Sequence, residues 1–178
     1  MRPVNTARNP YDYPARLAIR FATRYPHTIM HETKHASGLT SSAIQELLDR
    51  ATAVAQNSYS PYSKFRVGAA ILITAGDSTE EKIVSACNVE NASFRLTTCA
   101  EQSAIATAVS LYGPKIKIHG VGVANLNGAA SMPCGACRQT ILEFSTPSTW
   151  VFYPAEGDTP AEASLADLLP AAFRLNQD

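Results

Sequence analysis

Three thiols and one carboxylate stand in two short stretches of this sequence. Cys99 and Glu101 are separated by one alanine, and Cys134 and Cys137 form a C-x-x-C pair after a proline. Zinc prefers thiolate ligands in a tetrahedral shell, and a catalytic zinc has three protein ligands with the fourth position left for water. The pattern therefore predicts one Zn²⁺ per chain, held by Cys99, Cys134 and Cys137. Any fold of this chain must bring two distant segments to one point.

Glu101 is predicted to be the general acid/base. It follows the first thiol too closely to be a comfortable second ligand, but it is well placed to move protons at a water beside the metal. Three cysteines with a glutamate that is not a ligand are a described variant of the zinc nucleobase deaminases.

Two other interpretations of the thiols remain open. One is a closed structural zinc site with Cys87 or His119 as fourth ligand, although such sites usually present two close ligand pairs and Cys99 has no such partner. The other is a redox dithiol formed by the C-x-x-C pair at a helix start. That interpretation leaves Cys99 and Glu101 unexplained.

Composition favours one globular domain that acts on a small molecule. The 178 residues are 46% hydrophobic, which is enough for a core, and no apolar run is long enough to span a bilayer. Fifteen basic and fifteen acidic side chains cancel, which removes the attraction that nucleic-acid binding usually needs. Four cysteines without a secretory signal indicate a reducing compartment, so we expect a cytoplasmic protein with neither nucleic-acid nor membrane partners.

Residues 1–39 are predicted to be a basic, proline-containing N-terminal extension, and residues 40–178 a zinc-dependent deaminase domain. Residues 1–40 hold six Lys or Arg against two Asp or Glu, and four prolines interrupt any long helix before position 27. An Arg-rich start is compatible with an organelle transit peptide, but the prolines spoil the amphipathic helix that such a peptide forms. The alternative is a strap over the body or over a neighbouring subunit.

Helical and strand patterns alternate along the rest of the chain. A capping box of Ser42 and Gln45 opens a first helix that ends near Asn57. Strands are predicted over 67–74, 82–87, 116–124 and 149–153, and helices over 99–111, 134–144 and 165–169. These elements predict an α/β fold, a three-layer α-β-α sandwich with a central mixed β-sheet. Both thiol segments open helices, where free backbone N–H groups and the helix dipole favour thiolates.

Five motifs resemble the cytidine deaminase family in their order and spacing. They are SPYSKFRVGAA at 60–70, CNVENAS at 87–93, CAE at 99–101, PCGACRQ at 133–139 and LLPAAF at 168–173. The resemblance is to the compact, homotetrameric, three-cysteine type. It implies a cytidine deaminase-like fold and hydrolytic deamination of cytidine and 2′-deoxycytidine, with release of ammonia, in pyrimidine salvage.

The resemblance also implies the substrate contacts. Asn88 and Glu90 match residues that bind the ribose 3′-hydroxyl, and Phe65 matches an aromatic against the base. Phe173 matches an aromatic that completes the pocket of a neighbouring subunit, and backbone groups around Ala100 and Pro133 are expected to read the pyrimidine edge. Without the resemblance, Asn88 and Glu90 alternate at a strand end and face one side, which is also compatible with a polar cap, and Phe65 is compatible with core packing.

The chain departs from the family at two places. Gln102 stands where the three-cysteine enzymes usually have arginine, so three thiolates on Zn²⁺ leave one negative charge for which Arg138 and Arg95 are candidate counter-charges. The segment 94–98 replaces the usual loop, which leaves open a nucleoside analogue such as blasticidin S as substrate. A catalytically weak zinc protein used for assembly is the alternative from another class, but a structural site has no need of Glu101.

Overall fold

The computed structural model describes residues 35–157 and 159–175. Most of the predicted N-terminal extension therefore lies outside the described residues. The helices are α1 (Ser41–Ala55), α2 (Ala100–Tyr112), α3 (Gly135–Phe144) and α4 (Leu165–Leu168), with a short 3-10 helix at Phe94–Leu96. The strands are β1 (Val67–Ala75), β2 (Lys82–Cys87), β3 (Ile116–Asn125), β4 (Ser145–Tyr153) and β5 (Ala161–Ser164). No helix in the described part is both long and apolar enough to cross a membrane.

The five strands form one mixed sheet in the order β2-β1-β3-β4-β5. All neighbouring pairs are antiparallel except β3 and β4, which are parallel and joined through α3. Side chains of successive strand residues point to opposite faces of a sheet, so β1 serves two cores. Its Ala70 and Leu72 pack in one buried cluster with Leu47 and Ala51 of α1.

The other face of the sheet carries the larger core. Ile71 and Ile73 of β1 lie there with Ala104 of α2, Ile141 of α3 and Leu165 of α4. Helices therefore cover both faces, and the three-layer sandwich predicted from the sequence is confirmed.

Glycines in the sheet allow α1 to lie very close to it. A Cβ atom added at Gly68 would be 1.9 Å from the carbonyl oxygen of Ala51, and one added at Gly122 would be 2.9 Å from backbone and side-chain carbons of Leu47. Neither position leaves room for a side chain, so these glycines are required by the packing of the helix and not by turn geometry.

The strand directions gather several chain segments at one end of the sheet. Strands β2 and β3 are both antiparallel to β1, so β2 and β3 finish at the same end, where β1 begins. Register agrees, since Gly68 near the start of β1 pairs with Cys87 and Val67 pairs with Asn125. The segments that follow β2 and β3 lead to α2 and α3. We call this end of the sheet the site edge.

Three details differ from the sequence predictions. The N-cap of α1 is Thr40, whose side chain accepts a hydrogen bond from the Ala43 N–H at 3.2 Å, so the capping box of Ser42 and Gln45 was wrong. Gln45 instead donates to Asp49 along the helix. Strand β4 begins four residues before the predicted position, and neither β5 nor the 3-10 helix was predicted.

Candidate metal centre

The three predicted zinc ligands lie together at the site edge. Cys99 is the N-cap of α2 and Cys134 the N-cap of α3, while Cys137 lies in the first turn of α3. Their sulfur atoms are all within 4.8 Å of one another, and the Sγ atoms of Cys99 and Cys134 are 3.9 Å apart. In a tetrahedral shell with Zn–S bonds of about 2.3 Å, neighbouring sulfurs are about 3.8 Å apart. The donor set therefore fits one zinc ion.

Burial is graded across the three thiols. Cys137 is buried, Cys99 is half-buried and Cys134 is exposed, so the cluster opens toward solvent at Cys134. The Cys134 sulfur accepts a hydrogen bond from the Cys137 backbone N–H at 3.4 Å, as expected for a thiolate at a helix N-terminus. Between the thiols themselves, the hydrogen bond from Cys137 lowers the pKa of Cys99 to about 7 and the same contact raises the pKa of Cys137.

Neither alternative fourth ligand belongs to this cluster. Cys87 pairs with Gly68 in the sheet, and burial raises the pKa of its thiol. His119 Nε2 lies 3.0 Å from the Thr74 hydroxyl on the neighbouring strand. Among the residues that the structure describes, the three cysteines are the whole group of potential ligands, so a fourth coordination position is left open.

Glu101 lies beside the thiols in the first turn of α2. Its side chain is 4% exposed, and this burial raises the pKa of its carboxyl, while a hydrogen bond with Cys137 acts in the opposite direction. Desolvation favours the neutral form of a carboxyl, whereas hydrogen bonds to the carboxylate favour the charged form. The site thus holds one shielded carboxyl beside the three thiols.

Asn88 follows β2 and is buried by contacts with its own chain. Its Oδ1 accepts hydrogen bonds from the Ser58 hydroxyl at 2.5 Å and the Val67 N–H at 2.9 Å, and its Nδ2 donates to the Phe65 carbonyl at 2.9 Å. The amide therefore fixes the segment that leads into β1. The sequence indicated a sugar contact or a polar cap at the strand end for Asn88, and these three partners were not predicted.

Glu90 lies two residues beyond Asn88. Its carboxylate accepts hydrogen bonds from the Tyr62 N–H at 2.8 Å, the Ser63 N–H at 3.3 Å and the Ser63 hydroxyl. These bonds, with the Ser63 hydroxyl first, hold the pKa of Glu90 below its usual range. Between Asn88 and Glu90, Val89 forms isolated β-bridges with Tyr59 on one side and with Thr98 on the other. Backbone pairing therefore fixes the segment after β2 from two sides.

The remaining predicted contacts are divided between the site edge and the C-terminal tail. Phe65 is half-buried just before β1, and Ala100 is the buried first residue of α2. Pro133 is buried directly before Cys134. Phe173 lies in the tail after α4 with its side chain 69% exposed. The substrate roles of Phe65, Asn88, Glu90, Ala100 and Phe173 stay predictions.

Arg138 has a role that the sequence did not reveal. Its guanidinium donates to the carbonyls of Pro133 at 2.8 Å and Leu168 at 2.9 Å, and it contacts the Met132 sulfur. One partner is 30 residues away, so no local pattern could have indicated it. Gln102 is half-buried, and its side chain makes no hydrogen bond within the described part of the chain.

Comparison with known proteins agrees with this geometry. Residues 41–153 match the family model described as the cytidine and deoxycytidylate deaminase zinc-binding region. A cytidine deaminase of Sporosarcina psychrophila is 41% identical over 130 residues, covering 73% of this chain and 90% of that protein. One from Mycobacterium tuberculosis is 37% identical over 130 residues, covering 73% of this chain and 89% of that protein.

The chain is also similar to solved structures. The crystal structure of cytidine deaminase from Burkholderia pseudomallei matches with a TM-score of 0.62 and 35% identity, covering 72% of this chain and 98% of that one. The similarity therefore includes nearly the full length of a solved relative.

Proposed function

Because the chain belongs to the cytidine and deoxycytidylate deaminase family, we propose that it hydrolyses cytidine and 2′-deoxycytidine to uridine and 2′-deoxyuridine with release of ammonia, a reaction of pyrimidine salvage. One observation carries the proposal: three sulfur atoms within 4.8 Å of one another lie at two helix N-termini, beside the buried carboxyl of Glu101. A site built only for stability has no need of that carboxyl.

Zinc is the cofactor, one ion per chain, with Cys99, Cys134 and Cys137 as its ligands. When bound there, the ion supplies Lewis-acid activation of a water molecule. The open fourth position and the exposure of Cys134 support access of water and substrate from the solvent side.

Glu101 carries the protons of the reaction. It accepts one proton from the attacking water and delivers it to N3 of the pyrimidine while the water oxygen bonds to C4. It then takes the second proton of that oxygen and passes it to the amino group. The C4–N bond breaks, ammonia leaves, and C4 keeps the oxygen as a carbonyl.

Residual hydrogen-bonding capacity supports a sugar-binding role for the segment after β2. The Asn88 amide has two N–H donors, and among the described residues one of them is bonded, to the Phe65 carbonyl. A carboxylate offers about four lone-pair sites, and Glu90 uses three of them toward the residues that the structure describes. One donor and one acceptor thus remain for a ribose 3′-hydroxyl, with Phe65 against the base and the backbone at Ala100 and Pro133 near the pyrimidine edge.

We also propose a homotetramer in which Phe173 completes the pocket of a neighbouring subunit. The exposure of Phe173 supports this, together with further large apolar side chains that are exposed before β1 and in the segment after β2, among them Tyr59, Tyr62, Phe94 and Leu96. Exposed apolar surface of this kind marks interaction sites. Light scattering measures the assembly directly, and a monomer with full activity contradicts it.

The domain division and cellular location belong to the same proposal. We assign residues 40–178 to the deaminase domain and 1–39 to the extension, supported by the start of α1 at Ser41 and of the family match at 41. Four free thiols support a reducing, cytoplasmic location.

The test is the exchange of Glu101 for glutamine, which keeps the side-chain shape and removes the proton carrier. Glu101→Gln should retain zinc and the fold but lower kcat by about 10²- to 10⁴-fold, the usual contribution of general acid/base catalysis. Loss of the cytidine absorbance and elemental zinc analysis are the measurements. Glu81→Gln, at an exposed position, is the matched control and should change neither.

Two outcomes contradict the proposal. Glu101→Gln with activity within a few-fold of the parent would place the proton carrier elsewhere. Zinc-loaded parent protein that turns over neither cytidine, deoxycytidine nor blasticidin S would support the assembly role instead.

A further inference from the structure

Helix α3 holds the C-terminal tail through two consecutive side chains. Arg138 donates to the carbonyl of Leu168 at 2.9 Å, and Gln139 Nε2 donates to the carbonyl of Phe173 at 3.0 Å. We call residues 168–173 the tail and these two side chains the clamp. Beyond Phe173, the guanidinium of Arg174 donates to the Ser145 hydroxyl at 3.2 Å, so the chain is anchored on both sides of the aromatic ring.

The clamp ties the tail to the helix that presents two of the three thiols. The Arg138 side chain also donates to the carbonyl of Pro133 at 2.8 Å, and Pro133 directly precedes Cys134. We call residues 133 and 134, which lead into α3, the metal loop. The guanidinium of Arg138 therefore binds two carbonyls, that of Pro133 in the metal loop and that of Leu168 in the tail. Charge-assisted hydrogen bonds of this kind are stronger than neutral ones and fix the relative position of both partners.

The backbone between the two anchor points is strained. Ala171 has φ of +54°, in the left-handed region that costs a non-glycine residue free energy. Such a conformation persists only where the surroundings over-determine it. The two clamp bonds at Leu168 and Phe173 flank this residue and hold the turn that directs Phe173.

We propose that Gln139 is a positioning residue that acts through Phe173, and that Arg138 holds the tail and the metal loop in one arrangement. The proposal rests on the proposed role of Phe173 at a nucleoside pocket. It adds that the subunit donating the aromatic ring sets its position by a hydrogen bond from its own α3, next to its own metal loop. Position of the ring then affects substrate binding and leaves the chemical step unchanged.

The test is a double-mutant cycle on KM. Gln139→Leu removes the donor at similar size and should raise KM for cytidine about 2- to 10-fold, the range that loss of one neutral hydrogen bond gives. The values of kcat and zinc content should stay within twofold. Phe173→Ala should raise KM as well, and Gln139→Leu should add nothing in the Phe173→Ala background.

A control variant shows whether a substitution in α3 changes KM without loss of a clamp bond, and a hydrogen-exchange measurement tests the clamp without turnover. Thr140→Val is the matched control, because the Thr140 hydroxyl bonds within α3 to Ala136 and not to the tail. It should leave KM unchanged. Backbone hydrogen exchange of the peptide covering 165–175 should be faster in Gln139→Leu and unchanged in Thr140→Val, a readout that needs no turnover.

Each outcome bears on the proposal. The proposal is overturned if Gln139→Leu raises KM equally in the parent and in the Phe173→Ala background. It is also overturned if the tail of Gln139→Leu exchanges faster while KM of the active enzyme stays unchanged. Unchanged tail exchange in Gln139→Leu also overturns it. If the parent protein does not turn over cytidine, the proposed function fails, while the exchange experiment still decides whether the clamp holds the tail.

Discussion

Asn88→Ala should lower the free energy of unfolding by about 3 kcal/mol. The side chain is 8% exposed and makes three hydrogen bonds, to the Ser58 hydroxyl, the Val67 N–H and the Phe65 carbonyl. Each intramolecular hydrogen bond contributes about 1 kcal/mol net, and removal of a buried partner leaves the others unsatisfied. A residue that contacts only substrate contributes nothing to the stability of the substrate-free protein. Removal of Asn88 should therefore lower the free energy of unfolding more than removal of such a residue.

Asn127→Ala is the matched control for this prediction. Asn127 binds the same segment from its exposed side, with Oδ1 accepting from the Arg66 N–H at 3.0 Å and Nδ2 donating to the Lys64 carbonyl at 3.1 Å. Because this position is exposed, water can replace the lost partners. We expect a cost of at most about 1 kcal/mol.

Thermal unfolding of zinc-loaded protein at one fixed concentration measures both variants. At about 2 to 4 °C per kcal/mol for a protein of this size, Asn88→Ala should lower Tm by about 6 to 12 °C. KM for cytidine should rise in Asn88→Ala, since Phe65 is released as well. If Asn88→Ala unfolds at the same temperature as Asn127→Ala, the three hydrogen bonds do not anchor the segment and our reasoning is wrong.

Two further predictions concern packing and pH. Gly68→Ala should destabilise the fold by about 3 kcal/mol or more, because its Cβ would lie 1.9 Å from the Ala51 carbonyl oxygen, whereas Gly135→Ala meets nothing within 4 Å and should change Tm little. Hydrogen bonds hold the pKa of Glu90 below its unfolded-state value, so its contribution to stability is present above the usual carboxyl pKa of about 4.3 and is lost as the pH falls through the folded-state pKa. Tm of Glu90→Gln should therefore fall less than that of the parent on acidification from about pH 5 to 3, and a parallel fall would contradict this. Glu81→Gln is the control for this experiment.

The strongest local patterns could be predicted from the sequence. Strand β2 has the predicted bounds, and the thiol pattern correctly indicated that Cys99, Cys134 and Cys137 meet at two helix starts. Strand β5 could not be predicted, because its residues are Ala, Glu, Ala and Ser, which have low strand propensity and pair only because β4 lies alongside.

Other errors arose where several residues offered the same local chemistry, or where the partner was distant in sequence. Thr40, Ser41 and Ser42 are all good N-cap residues, and only the path of the chain selects Thr40. The side-chain hydrogen bonds of Asn88, and the bond from Arg138 to Leu168, reach partners 21 to 30 residues away, so they depend on the finished fold.

The placement of the cysteines has a practical consequence for labelling experiments. All four cysteines of the chain lie at the site edge, since Cys87 ends β2 and the other three form the cluster. A thiol-reactive dye would therefore modify the very groups whose chemistry it was meant to report. Strand β1 runs from this edge through nine residues, about 26 Å of extended chain, to the turn at Gly76. A short peptide tag inserted after Asp77 would carry a fluorophore at the far end of β1 from the cluster, in a turn between β1 and β2 that contains no cysteine.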